Sequence, residues 1–282
     1  MKNILCIIVC LMAINVHSQN IEIGVNAAAG MSSLSLKSDN DYKTSFGIGN
    51  NFGFDVAFLF TEQIAFRTGV NLATYKSSVN IDKHNVRYEI PLPPGIDKEK
   101  FFMIAEYTMY EEHTEAFFIR LPLMLQYQTG SKQKFYIAAG FIAGLPLNSF
   151  SQINADQLVT KGYSDYTMQE YENMPDHGFY TYPNIKSGSE LDFGISLSAA
   201  LEAGLKMSLK NGMYLYSGIF ADYGLNNIRK GDSMKETVIF NEEAKNFNYN
   251  SILHSQTDGK PLTDKVQPIA FGLKLRLSVE LK

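Results

Sequence analysis

The segment Ile269-Ala270-Phe271-Gly272-Leu273-Lys274-Leu275-Arg276-Leu277-Ser278-Val279-Glu280-Leu281 alternates without a fault. Its odd positions are all apolar, and its even positions are small or charged. Period two belongs to a strand, and a slip of one residue would exchange the two faces. Alternation alone also describes a soluble barrel with a greasy interior, so the decision rests on the second face. Water-facing strand positions usually carry Lys, Glu and Thr, whereas Gly, Ala and Ser with isolated charges suit a narrow, crowded lumen. Turning Lys274 and Arg276 toward hydrocarbon would cost about 2–4 kcal/mol each near mid-bilayer. The apolar face is therefore read as meeting lipid.

Working backwards, Leu191 to Leu209 repeats the pattern with apolar residues at odd positions from Leu191 and Phe193 to Met207 and Leu209. Six further segments fit: Ile21 to Met31, Ser45 to Phe60, Ile64 to Tyr75, Ala116 to Gln128, Phe135 to Leu147 and Met213 to Leu225. Thr61-Glu62-Gln63, Gly130 to Gln133 and Lys210-Asn211-Gly212 make tight links, and Asn-Gly suits a two-residue hairpin whose central residues need positive φ. The stretches 32–44, 77–115, 148–189 and 226–265 are long connections at the opposite end. Backbone groups in hydrocarbon must all be paired, so the sheet has to close without a free edge. The expected fold is all-β: an eight-stranded antiparallel up-and-down transmembrane β-barrel with short periplasmic turns and long extracellular loops.

Several segments exceed the ~9–11 residues that cross a bilayer at a tilt, so strands should project as a raised rim. Tyr75, Phe117, Tyr127, Phe135, Tyr214 and Tyr223 lie near strand ends, where aromatic rings settle at a membrane surface.

Composition agrees with this class. Of 282 residues, 45% are hydrophobic but mean hydropathy is slightly negative, which excludes a polytopic helical membrane protein. The net charge of −4, without a basic stripe, argues against nucleic acid as a partner. Lys2 followed by the apolar run Ile4 to Val16 and then His17-Ser18 reads as a secretory signal peptide over 1–18, leaving 19–282 as the barrel domain. Cys6 and Cys10 both fall inside that leader, so the mature chain carries no thiol chemistry.

Four stretches carry a family resemblance: Ile23-Gly24-Val25-Asn26-Ala27, Phe118-Ile119-Arg120-Leu121-Pro122-Leu123-Met124-Leu125-Gln126-Tyr127, Lys134-Phe135-Tyr136-Ile137-Ala138-Ala139-Gly140 and Asp222-Tyr223-Gly224-Leu225-Asn226-Asn227-Ile228. In order and spacing the sequence resembles the Bacteroidetes "porin family" of outer-membrane β-barrels, similar in architecture to OmpA and OmpX. The likeness runs across nearly the whole mature chain. It implies a bacterial outer-membrane location, with outer-membrane lipids as surroundings, and confers no single activity. One departure is the ending Val279-Glu280-Leu281-Lys282, where such barrels often finish on an aromatic residue.

Parity places Glu22, Asp55, Arg67, Arg120, Glu202, Lys206, Asp222, Lys274 and Arg276 in the lumen. An eight-stranded interior is just wide enough for side chains, so these charges are expected to pair into a structural plug, Arg120, Arg276 and Lys274 neutralising Glu202, Asp222 and Asp55. A narrow channel for small solutes is the alternative, since ionisable groups at membrane depth can mark a pathway.

The third long stretch gathers Tyr163, Tyr166, Tyr171, Phe179, Tyr180 and Tyr182, a composition suited to a recognition surface or to mutual packing over the barrel mouth. Pro175, Gly178 and Pro183 favour turns there. Through such loops an extracellular or envelope protein is a candidate partner. Outside the leader His84, His113, His177 and His254 form no ligand pair, and Glu111-Glu112-His113-Thr114-Glu115 lacks the pattern of a calcium loop. No metal or cofactor is called for. Gly194-Ile195-Ser196-Leu197-Ser198 is a strand stretch, without the nucleophile elbow of a hydrolase. A lipid A-modifying enzyme is a remote third reading, resting on His254-Ser255, because a catalytic triad is defined by geometry. The expectation is a non-enzymatic structural or surface-interaction barrel.

Overall fold

The computed structural model describes residues 20–37, 42–90, 100–129, 133–230, 234–257 and 259–281. The expected leader and both cysteines lie outside them. Eight strands form the ring: β1 (Asn20–Lys37), β2 (Lys43–Leu59), β3 (Ile64–Ile90), β4 (Phe101–Thr129), β5 (Gln133–Ser164), β6 (Ser196–Ser208), β7 (Met213–Gly224) and β8 (Lys265–Leu281). Each pairs antiparallel with the next, and β8 closes on β1 from Ile21↔Leu281 to Lys37↔Lys265. The barrel has no open edge at membrane depth.

The decisive face lies as the alternation requires. Leu273 is 68% exposed on the outer wall while its neighbours Lys274 and Arg276 are buried. Phe52, Phe54, Leu72, Leu125, Ile137, Leu201 and Ile219 continue the outer apolar belt. Short links join β2 to β3 and β6 to β7 at the end where Asn20 and Leu281 meet their neighbours. At one of them Asn211 and Gly212 take positive φ of 61° and 71°, but Ser208 pairs with Tyr214 and Leu209 N–H donates to Met213 O, so three residues, Lys210 to Gly212, make the link in place of the expected two.

The other end departs from the expected long loops. β3, β4 and β5 run for 27, 29 and 32 residues, so most of 77–115 and 148–164 is strand. Above Gly144 β5 parts from β6, and Thr181–Glu190 takes its place from Phe150↔Glu190 to Val159↔Thr181. The result is a four-stranded wall rising over one side of the mouth. Pro183 sits within that edge strand, where a missing N–H is tolerated, and only Pro175 opens a turn, the 3-10 helix Pro175–His177. The last long connection folds against the inner side of the wall, through the hairpin Val238–Asn241 with Asn246–Tyr249 and the 3-10 turn Ile252–His254.

Three outward assignments are corrected. Tyr214, on the inward parity of Tyr216, is half-buried at the turn end, with Lys206 Nζ 4.1 Å from its ring centroid and its hydroxyl donating to Glu280 at 2.7 Å. Leu191 and Phe193 are buried and precede β6, because the chain crosses there from wall to barrel, with Leu191 N–H donating to Ser149 O and Gly194 N–H to Ile228 O. Tyr75 is also buried, sharing the inward parity of Asn71 and Ala73, and packs edge-on against Phe118 instead of meeting the membrane surface.

Candidate functional site

All nine charged residues assigned to the lumen are buried within the barrel. Near the turn end Lys206 and Glu22 form an ion pair, and Glu22 also accepts from Tyr216 Oη at 2.6 Å and Ser278 Oγ at 3.1 Å. Arg276 lies 3.6 Å from both Glu22 and Asp55, its guanidinium over the Tyr216 ring at 4.5 Å. Glu202 joins Arg67 and, at 2.6 Å, Lys274. Highest, Arg120 donates to Asp222 at 2.6 Å. Sequence parity missed the neutral partners: Tyr216, Ser278, the Asn26 to Asn71 bond of 3.0 Å, and Gln126, which donates to Gln128. Each stands on an inward position, which is the signal that would have found it.

Above Arg120 the lumen turns apolar. Tyr75, Phe118, Phe193, Phe220, Ile228 and Leu253 pack together across the mouth. The cavity beside Arg120 measures only about 10 Å³, room for no more than about one water. Leu253 reaches this core because Glu112, buried on β4, holds the 3-10 turn: its carboxylate accepts from Ile252 N–H at 3.0 Å, from Tyr110 Oη at 2.6 Å and from Ser251 Oγ. Burial pushes the Glu112 carboxyl above its ordinary range, with these donors opposing the shift. His84 packs among Tyr42, Tyr107 and Tyr110 with Nε2 at 3.3 Å from Thr237 Oγ1, and burial lowers its pKa to about 4.

A closed eight-stranded ring with a charged lumen and an apolar belt defines an architecture, and the family comparison decides its kinship. The model of the outer membrane protein beta-barrel domain matches residues 17–208, through the end of β6. The chain belongs to that family. Among solved structures this outer-membrane barrel is similar to neisserial surface protein A (NspA), at 12% identity over 91% of this chain and 95% of that one, TM-score 0.35. A major outer membrane protein from Thermus thermophilus shows 11% identity over 93% and 99%, TM-score 0.40. OprG from Pseudomonas aeruginosa shows 10% identity over 93% and 95%, TM-score 0.31. Likeness at this level carries no functional argument. Among curated proteins, none matches the chain.

The aromatic cluster of the third connection does not form one surface in this outer-membrane barrel. Tyr163 lies outside the wall, its ring 5.7 Å beneath Arg87, which also covers Phe102 at 4.0 Å. Tyr166 and Tyr180 are exposed, while Tyr182 packs edge-on against Phe247 at 5.1 Å. Tyr171 and Phe179 turn inward and line a cavity of about 690 Å³ at the top of the rim.

No hydrolytic relay forms at His254 and Ser255. His254 packs against Phe193, and Ser255 donates to Ser251 O at 2.7 Å. A Ser-His-Glu row does exist on the outer wall: Ser78 Oγ lies 2.7 Å from His113 Nδ1, and His113 Nε2 lies 3.3 Å from Glu111 Oε1. Ser78 and His113 face each other in a ladder paired on both sides, so their backbone N–H groups serve the sheet rather than an oxyanion. The row is a cross-strand polar contact. Among the described residues no group of three or more His, Cys, Asp or Glu side chains is placed to hold a metal.

Proposed function

We propose that this protein is a non-conducting, non-enzymatic barrel of the bacterial outer membrane that presents a rigid extracellular rim for recognition. On this reading residues 1–18 are the export signal, the turn end faces the periplasm, and the wall of β3, β4, β5 and Thr181–Glu190 stands outside the cell. The observation that carries it is the double closure of the lumen: ion pairs fill the lower part, and the turn held by Glu112 packs Leu253 into an apolar core above them. Solute flow would require breaking both layers. A lumen spent on bracing leaves the tall rim, with exposed Tyr166 and Tyr180, as the surface available to an extracellular or envelope protein.

Two measurements test it. Purified barrel in planar bilayers should show no steady conductance, and a steady current of porin size would overturn the closed lumen. Photo-crosslinkers at Tyr166 and Tyr180 in intact cells should capture a defined protein by mass spectrometry. Capture from neither position would overturn recognition through the rim.

A further inference from the structure

The rim cavity combines features that select a ligand class. Five aromatic rings line it: Tyr88 from β3, Phe101 from β4, Tyr171 and Phe179 from the turn region of 171–179, and Phe240 from the loop hairpin. Phe101 lies 5.6 Å from Tyr171 and 5.9 Å from Phe179 by ring centroids, so three faces converge. The opposite wall approaches closely at Gly178, whose φ of 80° and missing Cβ matter together: a Cβ there would stand 2.6 Å from the Phe240 ring. At about 690 Å³ the cavity falls within the ~300–1,000 Å³ of small-molecule sites.

Its charge is one-sided. Among the described residues Glu242 is the only carboxylate in the lining, no Lys or Arg contributes, and His177 adds an imidazole stacked on Phe179 at 6.5 Å. Among the described residues the nearby Lys and Arg side chains are engaged elsewhere: Arg87 with Asp165 and Phe102, Lys100 with Glu89, Lys161 with Glu170, and Lys245 with the Asp176 carbonyl. Glu242 has no ion pair or hydrogen bond among the described residues. Aromatic ring faces are electronegative, and with Met103 and Met174 they offer polarisable, apolar contact. An anion would face the Glu242 carboxylate with no Lys or Arg among the described lining residues to offset it, and a neutral apolar molecule would leave that carboxylate unused.

We propose that the cavity binds an organic cation with an apolar body, of the quaternary-ammonium type, between the aromatic faces and the Glu242 carboxylate. The proposal rests on the recognition reading above and names a ligand class for part of the same rim.

The test is titration calorimetry of the full barrel in octyl glucoside, which carries no cation. The probes are phenyltrimethylammonium and its neutral isostere tert-butylbenzene. The ammonium should bind at least about tenfold tighter than the isostere. Glu242→Gln, at an exposed site, should weaken it about tenfold, and Phe240→Leu, which keeps apolar bulk but removes a ring face, should weaken it by a similar factor. Equal binding of the two probes, no binding, or indifference to both substitutions overturns the proposal. If the ammonium fails to bind while Tyr166 still crosslinks a protein on cells, this inference falls and rim recognition stands. If the crosslinks fail while the ammonium binds, the reverse holds.

Discussion

Arg120 on β4 and Asp222 on β7 project from separate walls of the barrel, and their charges meet at 2.6 Å across the lumen. Both are almost fully buried. A buried pair gains little over an apolar substitute, because desolvation offsets attraction, but removing one partner strands the other. Asp222→Asn should destabilise the barrel by about 3–5 kcal/mol, and Arg120→Met with Asp222→Leu should recover most of that loss. Urea unfolding in lipid vesicles of both variants checks it; equal destabilisation of single and double variants would remove the pair from the lumen's energetics.

The outer face makes a steeper demand. Leu275 points to lipid and its neighbour Arg276 points inward, so a charge costs opposite amounts one residue apart. Leu275→Arg should cost about 2–4 kcal/mol if it lies near mid-bilayer, whereas Ser278→Lys, on the inward side beside Glu22, should cost less. Reversible folding into vesicles measures both, and equal penalties would contradict the assigned faces.

How far sequence alone reaches follows from parity. Within the belt alternation is unbroken: Leu273, Leu275 and Leu277 face out, and Lys274 and Arg276 face in. Pairing with lipid on one side makes the two faces chemically different, so strands, register and the nine lumen charges are readable. The rim has water outside and polar aromatics inside, so contrast fades. Buried positions there also change parity at one level, from Val79 to His84 on β3, from Tyr110 to Tyr107 on β4 and from Ala155 to Leu158 on β5, with pairing partners unchanged. Met109 takes a φ of 53° at that level. A period-two reading loses phase there, which is why 77–115 reads as loop. Glu112 was equally hidden: within an acidic run, only the fold shows that it alone of Glu111, Glu112 and Glu115 is buried.

His84 gives the rim a pH response whose sign is fixed. Its pKa in the folded protein is about 4 against an ordinary 6.5, so the undocked state takes up a proton that the folded state refuses. The stabilisation is complete above pH 6.5 and fades as pH falls through about 4, by roughly 3 kcal/mol over that window. Glu112, raised by burial, opposes it, since protonation favours the docked form. Hydrogen exchange across 234–257 should therefore speed up on acidification, after correction for intrinsic rates. His254, in the docked turn, is lowered by burial in the same sense, so His84→Phe should make that slope shallower; an unchanged slope would exclude His84 as a source.

Glu112 should separate the two closures of the lumen. Glu112→Ala strands the Ile252 N–H, the Tyr110 hydroxyl and the Ser251 hydroxyl, at about 1–3 kcal/mol for each buried donor left unmet. The turn's other hydrogen bonds, Leu253 N–H to Ser251 Oγ at 3.1 Å, Ser255 Oγ to Ser251 O at 2.7 Å and Thr263 Oγ1 to Ile252 O at 3.1 Å, come from its own connection. Among the described residues, therefore, Glu112 supplies its hydrogen bonds to the wall, beside the packing of Ile252 and Leu253. Undocking should expose 234–257 to protease while the belt stays folded. The ion pairs below are untouched by this change, so conductance should remain absent in the cleaved barrel. A current appearing with Glu112→Ala alone would show that the apolar mouth is the real barrier and that the charged layer beneath it passes ions. Silence in Glu112→Ala followed by current in Glu112→Ala with Asp222→Asn would instead place the barrier at the Arg120 layer.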